Sequence, residues 1–332
     1  KLLGRKGEAV GFLSVYAYLF FCLGNYFIVI RKAIQSIFIE AELCAVPACL
    51  IGFLFLLPTN QLRTLHHLAF LSVVSFVTIV LVLAFCIGAL VLNPSPRCGP
   101  PIPNLDFWEV FNALSGFVFA FSGQQIFLEI QAEMCQPKDF TKSLNVAFGL
   151  LSVAYALVAV GAYGRCGDHT PTYLLDVLPH GGSTRIAAVL MLIHIVVSYT
   201  ISSQVLTRAI LLICGGTAGL EPGIRGRGIW FCLTTSIAIL AMVLSNAIPL
   251  FDDFVAIIGA LLSSNLAFVF PTALFLVYGR KVGVGRIARC TCFVVMVLGA
   301  VFCVCGTFSN LAATMRDAGR GGGHPFACNA LY

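Results

Sequence analysis

The sequence predicts an all-α, polytopic transmembrane helical bundle, and three observations carry that prediction. Hydrophobic residues make up 59% of the 332-residue chain and charged residues only 10%, with a mean hydropathy of +0.96; the surface of a water-soluble domain needs far more charge than this. The apolar residues fall in continuous runs long enough to span hydrocarbon, where a backbone must satisfy its own hydrogen bonds and a helix does so within one segment. The runs also lack the two-residue alternation of an outer-membrane barrel.

Taken in order, the runs lie near 10–30, 43–57, 68–92, 107–130, 144–163, 186–213, 229–250, 254–278 and 287–311. That makes nine spans, parted by turn or charged residues, in a single membrane domain over 1–332. The second run is short and holds Pro47, so it leans on neighbours or extends back through Glu42. Nine spans put the termini on opposite sides. Thirteen of the 20 Lys and Arg fall on the N-terminal side and seven on the other, which predicts a cytoplasmic N-terminus. The net charge of +6 is scattered over these loops, so it reports topology and points to the lipid bilayer rather than a nucleic acid as partner. The chain opens at Lys1 in KLLGRKGEA with neither Met nor signal peptide, and is expected to lack its true N-terminus.

Most of the 14 cysteines, among them Cys22, Cys44, Cys49 and Cys86, lie in apolar runs, where a thiol acts as a small hydrophobe. Cys290 and Cys292 form a C-x-C with no second Cys/His pair at zinc spacing, so no metal site is expected. Cys98 and Cys166 each sit in a long loop of the predicted outer face; they form a disulfide if the fold brings them together and are two free thiols if it does not.

Ionisable and polar groups in hydrocarbon are costly and usually face a cavity, a partner or a substrate path. The fourth run, FVFAFSGQQIFLEIQAEM (117–134), concentrates them. Ser122-Gly123 suits a helix break, since glycine permits backbone angles that other residues resist, and Gln124 and Gln125 supply amide donors and acceptors beside it. Glu129, six residues past Gly123, is either a proton carrier or a carboxylate paired with a polar neighbour. In MLIHIVVSYTISSQ (191–204) His194 is either a titrating group or a packed histidine. Tyr199 and the hydroxyls around it line a groove or bond back to the preceding turn, Ser198 and Ser202 sharing one face. Asp253, near the start of the eighth span, is a helix-capping carboxylate or a proton carrier, and Pro271 is expected to kink or fray that span. Motifs for nucleotide, serine-hydrolase or metalloprotease chemistry are absent from the sequence, so no enzyme and no catalytic residue is predicted.

The fourth run and its following loop, AFSGQQIFLEIQAEMCQPKDFTKSL (120–144), resemble the sixth span and adjoining loop of the amino acid/auxin permease family, in particular its plant-type lysine/histidine and general amino acid permeases. LPTNQLRTLHHLAFLSVVSFVTIVL (57–81), IAAVLMLIHIVVSYTIS (186–202) and PLFDDFVAIIGALLSSNLAFVFPTALFL (249–276) resemble the approach to that family's fifth span, its eighth and its tenth. The resemblance runs in register through essentially the whole chain. It implies a LeuT-like architecture of inverted five-helix repeats with broken first and sixth helices, eleven spans in all, of which the nine here correspond to the third to eleventh. It further implies secondary active transport of an amino acid, or of an auxin-like aromatic acid, by alternating access, with no cofactor beyond the coupling ion. Substrate would bind at Ser122, Gly123, Gln124, Gln125, Tyr199 and Ser202, and Glu129, Asp253 and His194 would handle the proton; Ser202 and Ser203 offer oxygens to a sodium ion as the alternative. Many relatives have His after the glycine where this chain has Gln124, which cannot titrate, so the carboxylates become the better proton carriers. The resemblance places the protein in the plasma membrane or a vacuolar or other endomembrane. A ligand-binding sensor without flux, or an inactive fragment, are the alternative readings.

Overall fold

A computed structural model describes residues 4–63, 65–92, 107–167, 170–171, 173–179, 181–215, 217–247, 251–319 and 326. Helices form throughout the described residues, with no strand among them. In order they are α1 (Gly4–Ile37), α2 (Ala45–Thr59), α3 (Leu65–Leu92), α4 (Phe107–Ala120), α5 (Gln124–Glu133), α6 (Phe140–Cys166), α7 (Gly182–Ile213), α8 (Ile224–Ala247), α9 (Phe251–Ile258), α10 (Phe270–Val282) and α11 (Arg286–Gly319).

Eight stretches among the described residues are long and apolar enough to cross a membrane, where the sequence predicts nine spans. The odd one is α2. Its 15 residues reach about 22 Å at 1.5 Å per residue, against a hydrocarbon core of about 30 Å. Pro47 sits in its first turn, where the missing N–H costs nothing. Its Ala45, Ala48, Cys49, Gly52 and Leu56 are buried, and a Cβ on Gly52 would run into Cγ2 of Ile30 on α1. The short helix is thus held by close approach rather than by length.

The chain divides into two compact units. One comprises Lys1–Asn25, Leu105–Leu128 and Val205–Ala327, the other Tyr26–Asn104, Glu129–Gln204 and Cys328–Tyr332.

In the first unit, α4 and α11 pack against the interrupted span between α9 and α10. Two consecutive π-helical turns, Gly259–Ser263 and Asn265–Val269, lead into α10, which carries Pro271 in its first turn. The sequence predicts a kink or fray at Pro271. The structure instead widens the helix ahead of it, because proline lacks the N–H that an α-helical ladder needs there. Three side chains bond carbonyls of the widened turns: Ser264 Oγ donates to Ala260 O, Thr272 Oγ1 to Phe268 O, and Asn265 Nδ2 to Leu261 O at 2.6 Å, while the buried Ser263 Oγ has no partner. Backbone contact is close on both neighbours. A Cβ on Gly259 would overlap the Ser115 carbonyl of α4, with the carbonyl carbon at 2.9 Å, and one on Gly299 of α11 would meet Phe268 Cβ at 2.5 Å. Ser309 Oγ donates to Trp108 O at 2.9 Å and the fully buried Asn310 donates Nδ2–H to Ala256 O at 2.9 Å, so α11 ties α4 and α9 together.

In the second unit, Leu90, Ala162 and Cys166 form a buried cluster against which Leu174 and Val177 pack. These last two lie on a 3₁₀ turn, Leu174–Val177, ahead of α7. Lys32 lies 4.0 Å from the Asp176 carboxylate and 4.9 Å from the centre of the Tyr173 ring. Burial, with Asp176 alongside, pushes the Tyr173 phenol well above its ordinary range. Arg185 pairs with Glu40. The sequence reading treats Cys44 as a packing residue; it is disulfide-bonded, a covalent role that its place beside an apolar run does not reveal.

Candidate functional site

The interruption expected in the fourth span is present. Helix α4 ends at Ala120 and α5 begins at Gln124, inside one apolar stretch running Phe107–Ala132. The last turn of α4 tightens: Phe121 N–H still reaches Phe117 O at 3.1 Å, but Ser122 N–H goes only three residues back, to Phe119 O at 3.0 Å. Ser122 Oγ bonds Val118 O at 2.7 Å. Gly123 N–H leaves the ladder and donates to the Gln124 side-chain oxygen at 2.9 Å, while Gly123 O accepts from Ile126 N–H at 3.2 Å. The sequence reading ascribes this break to unusual backbone angles at Gly123. Its φ lies outside the left-handed region; what glycine provides is room, since an added Cβ would come within 3.1 Å of the Phe127 ring.

Two buried polar atoms stand at this break with no hydrogen-bond partner, Nε2 of Gln124 and Oε1 of Gln125. They are a donor and an acceptor on consecutive residues. Orphaned amide atoms in a membrane-spanning segment are costly, and a ligand or water carrying both a negative and a positive end matches them. The start of α5 adds N–H groups and a partial positive charge on the same side of the break.

The other predicted residues are distributed as follows. Glu129 is half-buried on α5. Asp253 is the third residue of α9, and its side chain lies outside the described residues, as does Cys98 altogether. Cys166 is buried as the last residue of α6.

His194, Tyr199 and Ser202 lie on α7, within the second unit. His194 Nδ1 is 2.9 Å from Ser75 Oγ and 3.1 Å from Ser75 O on α3, and Ser75 Oγ also approaches His194 O at 3.4 Å. With Nδ1 protonated, His194 donates to Ser75; in the other tautomer Ser75 Oγ donates to Nδ1, so Ser75 orients the ring in both. Tyr199 is 0% exposed and its ring meets Phe27 edge-on at 5.4 Å and Tyr26 at 6.5 Å; its hydroxyl has no partner. Ser198 and Thr200 bond back to His194 O and Val196 O, the packing outcome. Ser202 is buried, yet the unpartnered hydroxyl belongs to its neighbour Ser203, one turn from Tyr199 on the same face. Gln204 Nε2 donates to Leu62 O and leaves its own Oε1 unpartnered.

Ser75 and Asn310 escape sequence reasoning. Ser75 is 119 residues from His194, and no local pattern marks either polar residue as reaching another helix.

A family model described as transmembrane amino acid transporter protein matches residues 1–309. The chain belongs to that family. Among curated relatives, it is 28% identical to amino acid transporter AVT1C of Arabidopsis thaliana over 93% of this chain and 56% of that protein. It is 28% identical to amino acid transporter AVT1B of the same plant over 79% of this chain and 48% of that one. A further relative is the N amino acid transport system protein of Neurospora crassa, 29% identical over 53% of this chain and 37% of that protein. The chain therefore spans about half the length of the curated relatives it matches. Family membership and the membrane-spanning stretches together make this an integral multi-pass membrane protein of a transporter family that is not enzymatic.

Proposed function

We propose that the chain provides the broken-helix half of a secondary active amino acid transporter that works by alternating access and is driven by protons. The observation that carries this reading is the break at Ser122–Gly123 with its unpartnered amide donor and acceptor on Gln124 and Gln125. An amino acid's carboxylate fits the N-terminus of α5 and Gln124 Nε2. Its ammonium group fits Gln125 Oε1 and the negative C-terminal end of α4. This is the geometry that a zwitterion requires, one sign of charge on each side of a gap.

The LeuT-like arrangement of inverted repeats belongs to the same proposal, with the fourth span standing for the broken sixth helix. Tyr199 and Ser202 on α7 are kept as substrate residues on the family resemblance alone, and the unpartnered hydroxyls there are those of Tyr199 and Ser203. Glu129 is the first candidate for the coupling proton, because Gln124 cannot titrate; Asp253 and His194, its Nδ1 held by Ser75, follow. Protonation of one of these groups would bias the equilibrium between two states only if they hold the proton with different affinity. Sodium on Ser202 and Ser203 is the alternative coupling ion.

Uptake of labelled amino acids into proteoliposomes containing the full-length protein tests the reading. Accumulation is expected only under an imposed pH gradient. Binding without uptake under either a proton or a sodium gradient overturns it in favour of a sensor. In the same assay, Glu129→Gln is expected to abolish pH-driven accumulation while exchange of internal for external substrate persists. Unchanged accumulation removes Glu129 from the proton role.

A further inference from the structure

Outside the broken helix, the first unit holds a groove of about 730 Å³ where α7 ends and α8 begins. Its size falls within the ~300–1,000 Å³ of small-molecule sites. Ile210 and Leu211 of α7 and Ile229 and Leu233 of α8 make its apolar walls; Arg225 is its one charged lining residue. The turn joining the two helices keeps it open. A Cβ on Gly219 would meet Leu211 at 2.8 Å and Ile229 at 3.1 Å, and one on Gly226 would meet Ala218 O at 2.9 Å, whereas one on Gly228, inside the groove, would meet nothing within 4 Å. The back is tightly packed and the mouth is empty.

The groove is amphipathic along the axis of α8. Arg225 is the second residue of α8, at a helix end, and Ser236 at the far limit lies 11 residues on, about 16 Å deeper at 1.5 Å per residue. Leu212, Ile213, Ile224 and Phe231, on the same two helix ends, are exposed apolar residues. In a spanning helix such residues face hydrocarbon, so the groove is continuous with the lipid-facing surface. Arg225 is exposed and forms no ion pair among the described residues, and Arg227 is exposed beside it. The Arg225 guanidinium, at the end of a spanning helix, favours a net negative headgroup and disfavours one whose phosphate is already balanced by a choline.

We propose that this groove binds an anionic phospholipid, with its phosphate on Arg225 and one acyl chain between Ile210, Ile229 and Leu233. The site is independent of the broken helix, and the inference does not rest on the transport reading. The Arg225 fork suits two phosphate oxygens, and the chain end reaches past Cys232 toward Ser236. Bound lipid would cover the thiols of Cys214 and Cys232, both lining the groove and exposed at the protein surface.

Those two thiols provide the test. The full-length protein is reconstituted in vesicles of phosphatidylcholine alone, or of phosphatidylcholine with a minor share of phosphatidylserine. Maleimide labelling is followed peptide by peptide, with the exposed Cys290 as internal reference. Phosphatidylserine is expected to slow labelling of Cys214 and Cys232 about tenfold relative to Cys290, as for a site occupied nine-tenths of the time. Arg225→Gln should remove that protection and Arg225→Lys should retain most of it. Gly228→Leu, which fills the groove, should leave labelling indifferent to phosphatidylserine. Mass spectrometry of the intact protein gives a second readout: phosphatidylserine adducts on the wild type and on Arg225→Lys, none on Arg225→Gln. Equal labelling in both lipids, or protection that survives Arg225→Gln, overturns the proposal.

Discussion

Two spans of the first unit depart from a regular helix, and they do so in opposite ways. Between α4 and α5 the ladder stops, and buried amide atoms of Gln124 and Gln125 are left over. Between α9 and α10 it widens through two π-helical turns without stopping, and Ser264, Asn265 and Thr272 fold their polar groups back onto its carbonyls. The second is also wedged, by Gly259 against Ser115 and by Asn310 against Ala256. At the first, a Cβ added to Gly123 would meet the ring of Phe127, one turn on in α5, rather than backbone. The second also leaves one buried hydroxyl, Ser263 Oγ, without a partner, but its close backbone contacts clamp it as a structural joint. The roomier break, with two unpartnered amide atoms, is the one on which the proposed substrate site rests.

Substitutions should separate the two. The largest effect on folding is expected from Gly259→Ala, whose Cβ would collide with backbone rather than with a movable side chain. A loss of about 3 kcal/mol or more, read from thermal melting of the purified protein, is expected, and a wild-type melting profile would show the contact to be looser than described. Asn310→Ala comes next, at about 1–3 kcal/mol, because it strands the buried Ala256 carbonyl.

Changes at the break should reverse this ranking, sparing stability and removing function. Gln124→Leu is expected to cost about 1 kcal/mol through the lost acceptor of Gly123 N–H, while amino acid uptake falls far more steeply. Retained uptake would release Gln124 from the site. Gly123→Leu should block substrate binding measured by equilibrium dialysis, the branched side chain filling the gap. Smallest of all, Gly123→Ala should shift melting by under about 1 kcal/mol, since the Phe127 ring can move by a few tenths of an ångström. If Gly123→Ala proved as damaging as Gly259→Ala, the contrast between the two spans would fail.

The break was legible before the fold was known, because a Ser-Gly step followed by two glutamines has no advantage inside an undisturbed membrane helix. The short second span was equally visible, from its length and from Pro47. The π-helical turns were not: GALLSSNLAF reads as an ordinary apolar run, and only Pro271 hints that something ahead of it must give. Nor could the pairing of Ser75 with His194, or of Asn310 with Ala256, be read locally, since each is fixed by which helices become neighbours. Tyr199 was identifiable as a large polar residue in hydrocarbon. That the orphaned hydroxyl beside it belongs to Ser203 rather than Ser202 depends on helix rotation, to which periodicity in a run buried on several sides is blind.

The bond from Gly123 N–H to the Gln124 oxygen means that the gap is guarded by its own occupant. On the proposed reading, a carboxylate that takes this N–H would first turn a glutamine aside, and the same glutamine would reclaim it when the substrate departs. Such competition would weaken the grip on the incoming molecule and hasten its release, as the proposed transport requires.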